Sequence, residues 1–97
     1  MKAIDPKVAV YIWQGAMDMR VSFDRLAMFI KENIGGSSLR SSLYVFLSRS
    51  RDRVKILYWD RDGYALWYKR LEAGVFKVES RLGYEQIRAV DLLQLLD

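Results

Sequence analysis

Residues 54–71 read Val54-Lys55-Ile56-Leu57-Tyr58-Trp59-Asp60-Arg61-Asp62-Gly63-Tyr64-Ala65-Leu66-Trp67-Tyr68-Lys69-Arg70-Leu71. Two runs rich in β-branched and aromatic residues flank a polar Asp-Arg-Asp-Gly tetrad. A D-G turn between two apolar runs is a strong hairpin signal, because Asp and Gly tolerate the backbone angles of a tight reversal. The stretch therefore predicts strands over 54–59 and 64–71.

The rest of the chain is placed from this hairpin outward. Upstream, Leu43-Tyr44-Val45-Phe46-Leu47 reads as a strand, joined to the hairpin by the polar, arginine-rich connection Ser48 to Arg53. Further upstream, Val8-Ala9-Val10-Tyr11-Ile12-Trp13 is a first strand, with Gln14-Gly15 as a break. Phe23, Leu26, Ala27, Ile30 and Ile34 then trace one stripe at a 3.6-residue period, which predicts a helix. Asp18 or Ser22 can cap its first turn, Asp24 favours the positive dipole end, and Gly35-Gly36 ends it. Downstream, Glu72-Ala73-Gly74 turns the chain into a short fifth strand, Val75-Phe76-Lys77-Val78. A last helix is expected from about Tyr84 to Leu96, with Ile87, Val90, Leu92, Leu93, Leu95 and Leu96 as its apolar members. The expectation is a single α+β domain over 1–97. It is an antiparallel meander sheet of four to five strands with two helices, one inserted after the first strand and one C-terminal. Two helices on one face would leave the other face solvated or covered by a partner.

Composition narrows the function. The chain has 97 residues, 52% of them hydrophobic and 13% aromatic, enough for one domain with a core of its own. It has no Cys and no His, so disulfides, thiolate sites, the commonest general base and the commonest metal ligand are absent. The N-terminal residues lack a signal-peptide apolar stretch and no membrane span follows, so a cytoplasmic location with no membrane partner is expected.

The formal net charge of +4 is unevenly spread. Residues 40–70 carry eight basic groups (Arg40, Arg49, Arg51, Arg53, Lys55, Arg61, Lys69, Arg70) and three acidic ones (Asp52, Asp60, Asp62), a net +5. Residues 1–39 are near neutral and residues 71–97 are slightly acidic.

Catalytic candidates are few. Asp60 and Asp62, with Glu72, could ligate a divalent cation, but Asp in a hairpin turn has a simpler reason to be there. Ser48 and Ser50 have no histidine base, and no glycine loop suits a phosphate cradle. The chain reads as a non-enzyme needing no metal and no small-molecule cofactor. Binding has better candidates. Arg49, Arg51, Arg53, Lys69 and Arg70 are expected at one end of the sheet, with Lys55 on the outgoing strand and Arg61 at the opposite turn. Such cations suit polyphosphate, though basic tips also keep strand edges from aggregating. Tyr58, Trp59, Tyr64, Trp67 and Tyr68 crowd the hairpin; they could stack bases, meet another protein or simply pair across strands.

Three blocks of the chain resemble a known family. They are Gly15-Ala16-Met17-Asp18-Met19-Arg20-Val21-Ser22-Phe23-Asp24-Arg25-Leu26-Ala27, then Leu43-Tyr44-Val45-Phe46 with Asp52-Arg53-Val54-Lys55-Ile56-Leu57-Tyr58-Trp59-Asp60, then Asp62 through Phe76. In order and spacing they are similar to the TnpB-type accessory protein, the second open reading frame product, of the insertion-sequence sixty-six family. The resemblance covers roughly residues 8 to 96. Val21-Ser22 and Lys77-Val78 depart from the family pattern, which has a basic-then-glycine pair and a Trp-Pro there. The resemblance implies a non-catalytic bacterial factor that works beside a separate transposase. Its partners would be element DNA, the transposase, or both. The nucleic-acid contacts would fall on Arg49, Arg51, Arg53, Lys55, Arg61, Lys69 and Arg70, and partner contacts on Tyr58, Trp59, Tyr64, Trp67 and Tyr68. The alternative is a protein–protein adaptor for the transposase without direct DNA contact.

Overall fold

The computed structural model describes residues 5, 7–34, 40–78 and 83–97. In chain order it has β1 (Ala9–Ala16), α1 (Phe23–Asn33), β2 (Ser42–Leu47), β3 (Arg53–Asp60), β4 (Gly63–Arg70), β5 (Tyr84–Ile87) and α2 (Ala89–Leu96). The five strands form one sheet in the order β4-β3-β2-β1-β5. The α+β class and the placement of both helices agree with the sequence. The sheet, however, is mixed rather than an antiparallel meander. β1 and β2 run parallel, with Tyr11 opposite Tyr44, while the other neighbours are antiparallel. The cause is α1. A helix inserted between two adjacent strands carries the chain back along the sheet, so the second strand starts at the same end as the first.

Two further expectations are corrected. Residues 75–78 form no strand. The Phe76 N–H donates to the Arg51 carbonyl at 2.7 Å, and the Phe76 ring enters the core at 3% exposure, so this segment spends its backbone on a turn. Gly74, at φ +78°, supplies the left-handed step that lets the chain fold back there. The fifth strand is Tyr84–Ile87 instead, antiparallel to β1 at the far edge, and the last helix starts only at Ala89. Tyr84 and Ile87 point to opposite faces, a period-two pattern that a reading of the segment as helix passes over. The expected Gly35-Gly36 stop lies outside the described residues.

The two helices cover opposite faces. On one face α2 places Ala89 and Leu92, with Phe76, against Val10, Ile12, Leu43, Val45, Leu47, Val54 and Ile56. On the other, α1 places Leu26, Ala27 and Ile30 against Tyr44, Phe46 and Leu57. No sheet face is therefore left wholly bare, contrary to the two-helices-on-one-face expectation. β2, the middle strand, is buried along its whole length. Phe23, assigned to the apolar stripe of α1, is 42% exposed, and Phe29 does its work. The Phe29 ring meets Trp13, Phe46 and Tyr84 at centroid distances of 4.9, 6.1 and 6.2 Å, two of them edge-on.

Candidate nucleic-acid interface

Parallel β1 and β2 end side by side, and this decides what surrounds the basic hairpin end. The Met17 N–H donates to the Leu47 carbonyl at 2.9 Å, so the crossover residues 17–22 lie beside the β2–β3 turn. In that turn the Ser50 and Ser48 hydroxyls both donate to Asp52 Oδ1, and Arg51 adopts φ +60°. The Ser50 hydroxyl above all, then that of Ser48, holds the Asp52 carboxyl below its usual range against an opposing effect of burial. Across the gap, Asp18 accepts from the Arg20 backbone N–H and from its guanidinium, the shortest contact being 2.6 Å. The Arg20 hydrogen bonds bring the Asp18 carboxyl down to about 2.

Between these two loops is an open groove of about 580 Å³ lined by Met17, Asp18, Met19, Arg20, Ser48, Arg49, Ser50, Arg53 and Tyr68. Arg49 is exposed, and Tyr68 is 49% exposed with the Lys55 ammonium 4.9 Å from its ring centroid. Arg53 Nε is buried 3.6 Å from Asp52 Oδ1, an ion-pair distance too long for a hydrogen bond, and has no hydrogen-bond partner. Arg53 also lies directly opposite Arg70 on β4. Like charges at such a pair repel, and Arg70 turns to Glu72 at 3.2 Å.

The seven basic candidates thus divide. Arg49, Arg51, Arg53 and Arg70 gather at this end of the sheet. Arg51 Nη1 reaches the Val78 carbonyl at 3.3 Å. Lys69 is on the same strand end, but its ammonium donates to the Leu96 carbonyl at 3.1 Å, capping the C-terminus of α2 where a cation is favoured. Lys55 is only 6% exposed; its ammonium donates to the carbonyls of Met19 and Val21 at 2.6 and 2.7 Å. Arg61 stands at the opposite end, in the β3–β4 turn, with φ +57°. Arg20, absent from the sequence-based set, joins the groove. Its signal was the Asp-Met-Arg triplet, which reads from sequence only as a helix start.

The five aromatic candidates divide as well. Tyr58 and Trp67 pack against the α2-side core, and Tyr64 packs against the α1-side core. Trp59 meets the Tyr64 ring edge-on at 5.1 Å, donates its indole N–H to the Arg61 carbonyl at 3.0 Å, and carries the Arg40 guanidinium 4.2 Å above its ring. Tyr68 alone lines the groove.

The three acidic candidates do not converge. Asp60 and Asp62 close the β3–β4 hairpin, whereas Glu72 follows the other end of the eight-residue β4. Among the described residues there is no group of three or more His, Cys, Asp or Glu able to hold a metal ion. A larger hollow, about 910 Å³, lies on the α2 side, but it sets Lys77 among Glu85, Asp91 and Asp97 and is acidic on balance. No helix among the described residues is long and apolar enough to cross a membrane.

The fold is thus a small α+β domain with four arginines collected at one sheet end beside a groove. The family model described as IS66 Orf2 like protein matches residues 8–97, and the chain belongs to that family. Membership supports a transposition-associated accessory role. The chain is also 38% identical over 69 residues to the uncharacterized protein y4hO of Sinorhizobium fredii (strain NBRC 101917 / NGR234). That match covers 71% of this chain and 60% of the relative, so the alignment leaves a substantial part of the relative unmatched. No solved structure matches.

Proposed function

We propose that the chain is a non-catalytic accessory factor for insertion-sequence transposition that grips DNA by its phosphates at the β2–β3 end. Arg49, Arg53, Arg70 and Arg20 supply the charge, and Tyr68 offers a ring face beside the groove. The observation that carries this reading is the groove itself, where two loops brought together by the parallel β1–β2 pair set three arginines around one opening. Arg53, whose side chain is 42% exposed, adds guanidinium donors that a phosphate oxygen would satisfy. Arg51 contributes charge to the same end. Lys55 and Lys69 act through the scaffold, since backbone carbonyls already hold their ammonium groups.

Fluorescence anisotropy on duplex element-end DNA at several salt concentrations tests it. With three to four phosphates neutralised, log affinity should fall with log salt at a slope of about −3. Arg49→Glu and Arg70→Glu, both at exposed positions, should each weaken binding and flatten the slope by about 1. Absence of binding at low salt, or a slope indifferent to both changes, overturns the reading. A salt-resistant complex with the cognate transposase in that case would establish the adaptor alternative.

A further inference from the structure

We infer that the free edge of β4 pairs with β4 of a second copy of this chain, joining two five-stranded sheets into one. β4 is a terminal strand eight residues long, whereas the strand at the other edge, β5, has four. Its backbone direction is fixed by its pairing with β3. The Leu71 N–H donates to the Asp52 carbonyl in register with the rest of the pair, so Gly63, Ala65, Trp67 and Lys69 face β3. Tyr64, Leu66, Tyr68 and Arg70 therefore turn their N–H and C=O groups outward, and among the described residues no other segment bonds to them.

Such an edge invites pairing, and natural sheets protect theirs with proline, bulges, shortness or charge. β4 has none of the first three: its sequence lacks proline, its register with β3 is unbroken, and it is long. Charge is confined to its last two residues, and both side chains are turned to partners on their own chain.

Symmetry and chemistry then select the second copy as occupant. A two-fold axis normal to the sheet makes the strands antiparallel and sets residues of the same face opposite each other. With Leu66 on the axis, the outward backbone groups of Tyr64, Leu66 and Tyr68 meet those of Tyr68, Leu66 and Tyr64 of the second copy. On the α1 face this pairs tyrosine with tyrosine and leucine with leucine. It also brings Asp62, in the hairpin turn, beside Arg70 of the second copy, twice by symmetry. On the other face the small Ala65 meets the large Trp67, and Gly63 meets Lys69. The ends of β4 are oppositely charged, acidic in the turn that precedes it and basic at its close, so only an antiparallel self-pairing matches them. Moving the axis to Trp67 sets two indoles against each other and leaves Asp62 without a basic partner. The chosen register also gives Arg70 a carboxylate to offset Arg53, the like charge opposite it within the chain.

Sedimentation velocity on the DNA-free protein, over a concentration series, tests this without reference to nucleic acid. The wild type should sediment as a dimer of the 11.4 kDa chain. Asp62→Arg alone, or Arg70→Asp alone, turns two attractions into two repulsions and should weaken dimerisation about tenfold or more. Mixing the two variants in equal amounts recreates both opposite-charge contacts and should restore a heterodimer. A wild type that stays monomeric at its highest soluble concentration overturns the inference. So do variants that dimerise like the wild type, and a mixture that fails to recover. A monomer that instead binds an extended peptide along β4 assigns the edge to a different partner and equally overturns it.

Discussion

The ammonium of Lys55 lies 2.6 Å from the carbonyl oxygen of Met19, which makes a lysine in the middle of a basic hairpin part of the scaffold. A second bond, to Val21, means that one side chain of β3 fastens the crossover from β1 to α1. The Met19 side of the groove is in place because of it.

Replacing Lys55 with Met should therefore cost stability rather than a DNA phosphate contact. It removes two charge-assisted bonds and leaves two carbonyls with no partner near the core, a loss of about 2–3 kcal/mol. Chemical denaturation should report the loss, and the salt slope of any DNA binding should stay as in the wild type.

Asp18 gives the groove a pH signature. Hydrogen bonding to Arg20 lowers its folded-state value to about 2 from an ordinary 3.8. The folded value is the depressed one, so the contribution is complete above the ordinary value and is lost as the pH falls from there toward 2. A carboxyl carbon titration by NMR should show Asp18 still ionised at pH 3, and Arg20→Ala should return its midpoint toward 3.8.

Arg61 holds a left-handed backbone at φ +57°, and the Asp62 N–H closes back on the Asp60 carbonyl at 2.6 Å. A residue with a Cβ is strained there, while glycine is not. Arg61→Gly should raise stability by about 1 kcal/mol, visible as a higher Tm.

Phe76 is the plug of the α2-side core, buried to 3% and delivered by a segment with no regular structure. Phe76→Ala should cost about 3–4 kcal/mol, read as a lower denaturation midpoint. An equally drastic change at the neighbouring exposed Val75 should cost little.

The legibility of the sequence followed the range of the interactions. The β3–β4 hairpin was readable because alternation and turn chemistry are local, yet the left-handed residue of its turn is Arg61 and not Gly63, which pairs with Asp60 as the first residue of β4. The parallel β1–β2 pair was misread because nothing in either strand's composition records the direction of its neighbour. The inserted helix was the clue, and its topological meaning outweighs strand order. Tyr84–Ile87 was lost to the following helix because only four residues long, next to a leucine-rich run, it offers a weak period of two. At the site, the collection of arginines at one end was legible from hairpin geometry alone. The burial of Lys55 and the arrival of Arg20 were not, since both depend on where residues 17–22 cross over β3.

The placement of the helices on opposite faces has a consequence for how this small domain can acquire partners. With α1 and α2 packed on either face of the sheet centre, both proposed recognition surfaces lie on its perimeter: the loop ends of the strands and the outer margin of β4. Tyr68 and Arg70 belong to both, since they stand at the arginine end and on the outer margin of β4, so a change at either should register in DNA binding and in self-association alike.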